Sequence, residues 1–268
     1  MFRRRNRGPR RTGFPTSSNG ASSLHLRWDL DRALEAAAVT LTVTEVPSVD
    51  RLYFWAMQTD FTDALGNKAG GAHVGLQWHP AYPGHTAVNW GGYRHGGGEL
   101  TGSGSPLASA AGNPNTRDYR WEPLRAYRLG VRPVRPGEPP LDPPPPGHMQ
   151  AWRASVTDVE SGVETVIRDL HVPATSIRGV TVWSEVFARC DDPPSSVLWS
   201  DPTTTTPAGE TISPTRAQVN YQSERDGGCA NTDSHPVDDP FPGIAQSTNT
   251  ERGTPQGSVI AWHRDPTR

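Results

Sequence analysis

The sequence predicts an all-β fold, a single antiparallel β-sandwich, and three observations predict it. Apolar residues recur with a period of two in a series of short runs. Glycine and proline, 27 of each in 268 residues, place turns throughout the chain. No amphipathic helical pattern separates the runs, as it would if the strands were parallel. Nine tryptophans supply aromatic surface that a disordered chain lacks. A sandwich of this length folds as one unit, so the expected division is a basic tail over 1–23 and one domain over 24–268.

The tail carries Arg3, Arg4, Arg5, Arg7, Arg10 and Arg11, followed by a polar stretch to Ser23. Its charges repel and it has little to bury, which predicts disorder. No apolar stretch of the length a signal peptide needs follows the arginines. The default expectation is therefore the cytoplasm, or the cell exterior if the natural start lies elsewhere. The first strand is marked by Leu24, Leu26 and Trp28 alternating with His25 and Arg27. Residues 29–38 look locally helical, with Asp29 or Asp31 as a cap for a short turn.

Val39, Leu41 and Val43 alternate with threonines, and Arg51 to Gln58 is apolar on both faces. A strand of the second kind belongs at the centre of a sheet. The short turn at Pro47-Ser48 predicts that these two runs pair. Further strands are expected over Ala72–Trp78, Thr86–Trp90, Ala126–Arg132, Ala151–Asp158, Val163–Leu170, Gly179–Arg189 and Ser258–Trp262. Glu160-Ser161-Gly162 marks a hairpin. Residues 133–147 are proline-dense and read as a surface loop, because proline cannot donate to a ladder. Residues 190–257 show few strand signals and read as a second long loop region.

A net charge of −2 gives no basic field for nucleic acid. No apolar run approaches the ~18 residues of a membrane-spanning helix. Cys190 and Cys229 can pair in only one way; a bridge would close a loop of about 40 residues and stabilise by roughly 4 kcal/mol, two free thiols being the alternative.

Function is sought on the strand faces. On Gly179–Arg189, Val180, Val182, Ser184, Val186 and Ala188 form a core face, and Trp183, Glu185, Phe187 and Arg189 share the other with Thr181. Aromatics interleaved with charge suit a sugar, whose C–H faces stack on rings and whose hydroxyls meet polar groups. The competing reading buries Trp183 and Phe187 beneath the C-terminal loops. His73 and Gln77 flank Gly75 on one strand face, and Asn89 is placed near them if the strands pair. His73, His79, His85 and His95 lack a metal-ligand spacing. The loop over 226–239 offers Asp226, Asp233, Asp238 and Asp239, which makes calcium the one cofactor to consider, against a solvated loop. No nucleophile elbow or phosphate-binding glycine loop is present, so no catalytic residue is assigned. The expectation is a carbohydrate-binding module using Trp183, Glu185, Phe187, Arg189, His73, Gln77 and Asn89. Its rivals are a glycoside hydrolase or lyase pairing Glu185 with a distant carboxylate, and a structural or protein-interaction domain.

The segments His73-Val74-Gly75-Leu76-Gln77, Asn89-Trp90-Gly91-Gly92-Tyr93 and Tyr127-Arg128-Leu129, with Trp152 and Trp183, resemble the bacterial DUF3472-type domains. The likeness runs over about residues 25–200. It implies a concanavalin A-like, jelly-roll sandwich, in some cases within proteins associated with carbohydrate. That family defines no catalytic set to carry over.

Overall fold

The computed structural model describes residues 9–147, 149–238 and 242–262. It is an antiparallel β-sandwich, and among these residues the only helical elements are 3-10 turns at Pro83–His85 and Glu224–Asp226. No described helix is long and apolar enough to cross a membrane.

The strands are β1 (Ser22–Trp28), β2 (Ala36–Glu45), β3 (Tyr53–Thr62), β4 (Lys68–Trp78), β5 (Thr86–Arg94), β6 (Thr116–Asp118), β7 (Ala126–Pro133) and β8 (Gln150–Asp158). They continue as β9 (Glu164–Val172), β10 (Ser176–Val186), β11 (Ser196–Thr205), β12 (Thr211–Ile212), β13 (Arg216–Tyr221), β14 (Thr232–Val237), β15 (Gly243–Thr248) and β16 (Val259–Ala261). One sheet has the order β16-β13-β1-β10-β3-β4-β5-β6, and the other the order β14-β15-β11-β2-β7-β8-β9, with β12 paired to β11.

The period of two explains the core. Leu24 and Leu26 of β1, Trp55 and Met57 of β3, Val74 and Leu76 of β4 and Val180 and Val182 of β10 point inward from the first sheet. They meet Val39 and Leu41 of β2, Leu129 of β7, Trp152 of β8, Ile167 of β9 and Trp199 of β11. As its doubly apolar sequence requires, β3 lies inside its sheet, between β10 and β4. Behind it, Phe54, Ala56 and Trp183 form a small second cluster on the outer face. The β8–β9 hairpin turns at Gly162, whose φ of +70° suits glycine.

Four expectations are corrected. The chain over 29–38 does not form a helix: residues from Ala36 belong to β2, and Leu34 bridges Ile177. Pairing and burial override the local preference of a short alanine-rich segment. Nor do β2 and β3 pair, since they lie in opposite sheets, β2 between β11 and β7. The short turn between them crosses the sandwich. The region 190–257 holds five strands, β11 to β15. Its alternation is hidden because several buried positions are polar, among them Thr204, Thr232, Ser234 and Gln246; β13 buries only Ala217, Val219 and Tyr221.

The fourth correction concerns the basic tail. Residues 1–8 lie outside the described residues, but 10–21 pack against the domain. Gly13 bonds Cys190 and Asp191, Thr16 bonds Gly227, and Asn19 donates to Glu185. Phe14 lies beneath the guanidinium groups of Arg51 and Arg189, 5.0 and 5.5 Å from its centroid. Backbone bonds, donors to the Asp191, Glu185 and Glu224 carboxylates and one aromatic ring under two guanidinium groups hold this strap. It docks where Cys190 and Cys229 form a disulfide.

Candidate functional site

The outer face of the first sheet is built from the side chains that alternate with the core. Strand register arranges them in rows. In one row Asn220, His25, Trp183, Ala56, Gly75 and Asn89 stand opposite one another across β13, β1, β10, β3, β4 and β5. The next row is Gln218, Arg27, Thr181, Gln58, His73 and Gly91. On the other side lies the row Ser23, Glu185, Phe54 and Gln77.

Three surface depressions follow these rows. A broad one, lined by Ser23, His25, Asn220 and the 222–226 turn, shares His25, Asn220 and Gln256 with a groove of about 350 Å³. That groove shares Gln58 with a third depression of about 300 Å³, which reaches Asp60, His73, Tyr93 and His95. The three are thus one trough crossing six strands, about 24 Å at the usual strand spacing. Small residues make its floor shallow in side chains. In the neighbouring row a Cβ on Gly75 would meet the Trp55 carbonyl oxygen at 2.0 Å, so β4 approaches β3 closely only with glycine.

The lining mixes uncharged hydrogen-bonding groups, among them Gln58, Thr181, Gln218 and Asn220, with charged ones such as Arg27, Asp60, Lys68, Arg94, Glu224 and Arg225. His73 stands edge-on to Phe54 and Trp183, at 5.4 and 5.6 Å between centroids. Burial against these rings lowers its pKa to about 4, so the imidazole is neutral at pH 7. His25 is shifted downward for the same reason, opposed by a backbone hydrogen bond at Asn220, and its Nδ1 is buried without a partner. Glu185 accepts from Asn19 Nδ2 at 2.8 Å, and burial raises its pKa.

The seven residues nominated from the sequence divide into three groups. His73 and Trp183 are in contact, and Glu185 lies one row away. Trp183 is only 7% exposed and Phe54 packs against its ring at 4.9 Å, so it offers an edge and not a stacking face. Gln77 and Asn89 flank Gly75 as the pairing implied, yet both are buried and engaged: Gln77 accepts from Tyr82, and Asn89 donates to Thr116. Phe187 and Arg189 fall beyond the end of β10, where Arg189 pairs with Asp191 and caps Phe14. Alternation was extended past the strand's end, and the strap claims those positions.

Sequence reasoning missed Gln58, Asn220 and Gln218 as site residues. The alternation of His25 and Arg27 between buried leucines was the available signal, and the same pattern in β13 would have added Gln218 and Asn220. The cross-strand and diagonal neighbours of Glu185, namely Ser23, Phe54, His25 and Ala56, include no carboxylate. Among the described residues no group of three or more His, Cys, Asp or Glu is placed to hold a metal ion. In the acidic loop, Asp233 instead bonds Tyr221, His235 and the Gly253 and Thr254 amides, Asp226 closes a 3-10 turn, and Asp239 lies outside the described residues.

No family model matches the chain, and no curated protein matches it. Solved structures share its β-sandwich. Scytalido-glutamic peptidase with a peptide-based transition-state analogue superposes with a TM-score of 0.47 at 9% identity, over 85% of this chain and 98% of that one. SCP-B, an eqolisin-family peptidase in complex with the tripeptide Ala-Ile-His, gives 0.46 at 9% identity, over 88% and 98%. The PL-14 alginate lyase from Aplysia kurodai gives 0.25 at 6% identity, over 59% and 70%. At this level no residue role passes from them to this chain.

Proposed function

We propose that the protein binds an extended polar polymer, a carbohydrate chain, along the trough on the outer face of its first sheet. The observation that carries this reading is the continuity of the three depressions through His25, Asn220 and Gln58. A ligand lying there crosses the strands and cannot add to their ladders, because each strand under it is already paired on both sides. Recognition must then come from side chains. Gln58, Gln218, Asn220, Thr181 and two neutral imidazoles, beside charged groups such as Arg27, Lys68, Asp60 and Glu224, present the donors and acceptors that hydroxyl groups need. The exposed ring of Tyr93, 57% accessible at one end, supplies the stacking surface that Trp183 does not. The resemblance to DUF3472-type domains agrees with this reading.

The test is a glycan-array screen of the full chain, repeated with Gln58→Ala and Tyr93→Ala. Binding to a defined set of saccharides, weakened in both variants, is the expected result. Well-folded protein that binds no glycan overturns the proposal.

A further inference from the structure

The outer face of the second sheet holds a separate pocket of about 260 Å³. We infer that it binds a tetrahedral oxyanion, phosphate or sulfate, as a free ion or as an ester.

The pocket's geometry comes from β7. Arg128, Gly130 and Arg132 alternate onto one face, so two guanidinium groups flank a position with no side chain. Gly130 stands opposite Ala38 of β2 and Ser155 of β8, and Ala38 stands opposite Thr203 of β11. The floor is therefore small and hydroxyl-bearing. Thr157 and Thr205 add two more hydroxyls at its sides, and Arg135 closes one end.

The arginines of this pocket are not all paired, although the Asp201 carboxylate acts on Arg128 through space. Arg132 is matched by Glu138 through both of its terminal nitrogens. Arg128 is half-buried, and its partners are neutral: the Asp201 carbonyl at 3.0 Å and the hydroxyls of Thr40 and Thr203. The Arg135 guanidinium makes no hydrogen bond or ion pair among the described residues. One carboxylate, the exposed Glu164, lies on the rim against these arginines. Arg135 without a side-chain partner and Arg128 bonded to neutral oxygens, with hydroxyl donors between them, form the donor set that phosphate and sulfate oxygens accept from. The pocket exceeds the ~30 Å³ share of a single water several-fold, so it has room for an ester's organic part.

Calorimetric titration of the full chain at low ionic strength, with inorganic phosphate and then sulfate, tests this. The expected result is one saturable site. Arg135→Gln, on an exposed loop, should weaken it about tenfold. Gly130→Asp should abolish it by placing a carboxylate on the floor; the nearest obstacle to the new Cβ is Ser155 Oγ at 3.5 Å, an ordinary contact. A parallel titration with glucose 6-phosphate separates the sources: tighter binding than phosphate supports an ester, and equal or weaker binding supports the free ion. Absence of saturable binding to wild type, or unchanged affinity in Arg135→Gln, overturns the inference.

Discussion

The two outer faces of this sandwich are made by the same alternation and put to different use. On the second sheet, Arg153 is held bidentately by the fully buried Asp169 at 2.8 and 2.9 Å, and Glu138 joins Arg153 to Arg132. Asp169 also accepts from the Leu141 amide, which pins the proline-dense loop over that face. Hydrogen bonds from Arg132, ahead of the nearby positive charges, hold the Glu138 carboxyl at a pKa of about 2. On the first sheet, the corresponding positions carry Gln58, His73, His25 and Asn220, which form no such network. The covered face is stabilised by its own ion pairs, whereas the contacts on the trough face are single hydrogen bonds, from Gln58 to Asp60 at 3.3 Å and from Gln256 to Asn220 at 2.5 Å.

The largest effect should separate the faces outright. Asp169→Ala strands a buried guanidinium and should cost roughly 3–5 kcal/mol in chemical denaturation, while saccharide binding by the protein that remains folded is unchanged. If the trough is instead damaged equally, the two faces are not independent. Replacing Cys190 and Cys229 together by serine should cost about 4 kcal/mol, since the bridge spans a sequence separation of 39. The same change should loosen the strap over 10–21, which faster proteolysis or hydrogen exchange there would report.

A pH effect follows from the first face alone. The folded-state pKa of His73 is depressed to about 4 from an ordinary 6.5, so between these values the unfolded chain binds the extra proton. Stability is complete above about pH 6.5 and is lost as pH falls toward 4, by roughly 2 kcal/mol once partial solvation of the ring is allowed for. His73→Phe should flatten this part of the profile of melting temperature against pH. The smallest effect is on stability at Gln58: Gln58→Ala removes one part-buried bond to Asp60 and should leave stability within about 0.5 kcal/mol, yet weaken saccharide affinity about tenfold.

Much of the architecture was legible from period-two alternation, because burial of one strand face enforces it. That logic located the runs of β3, β4, β7, β8, β9 and β10 and the hairpin at Gly162. It failed where the buried positions are small or polar, as in β11 to β15, where Thr204, Ser234 and Gln246 are buried. Which sheet a strand joins was not legible at all, as the separation of β2 from β3 shows, because pairing is set by the whole core and not by a turn. The site was half legible. His73 and Trp183 were found through their alternation, but whether a ring is exposed depends on neighbours such as Phe54 and on the strap. Gln58 sits on a strand whose apolar run from Leu52 to Met57 hides the polar positions, Gln58 and Asp60, that face the trough.

Amide chemical-shift mapping with a saccharide selected by array screening tests the central claim most directly. Shifts should concentrate at Arg27, Gln58, His73, Tyr93, Gln218 and Asn220, with the faces of β7 and β8 silent. Shifts confined to the second sheet, or absent along Gln58 and His73 at saturation, would contradict a ligand lying in the trough.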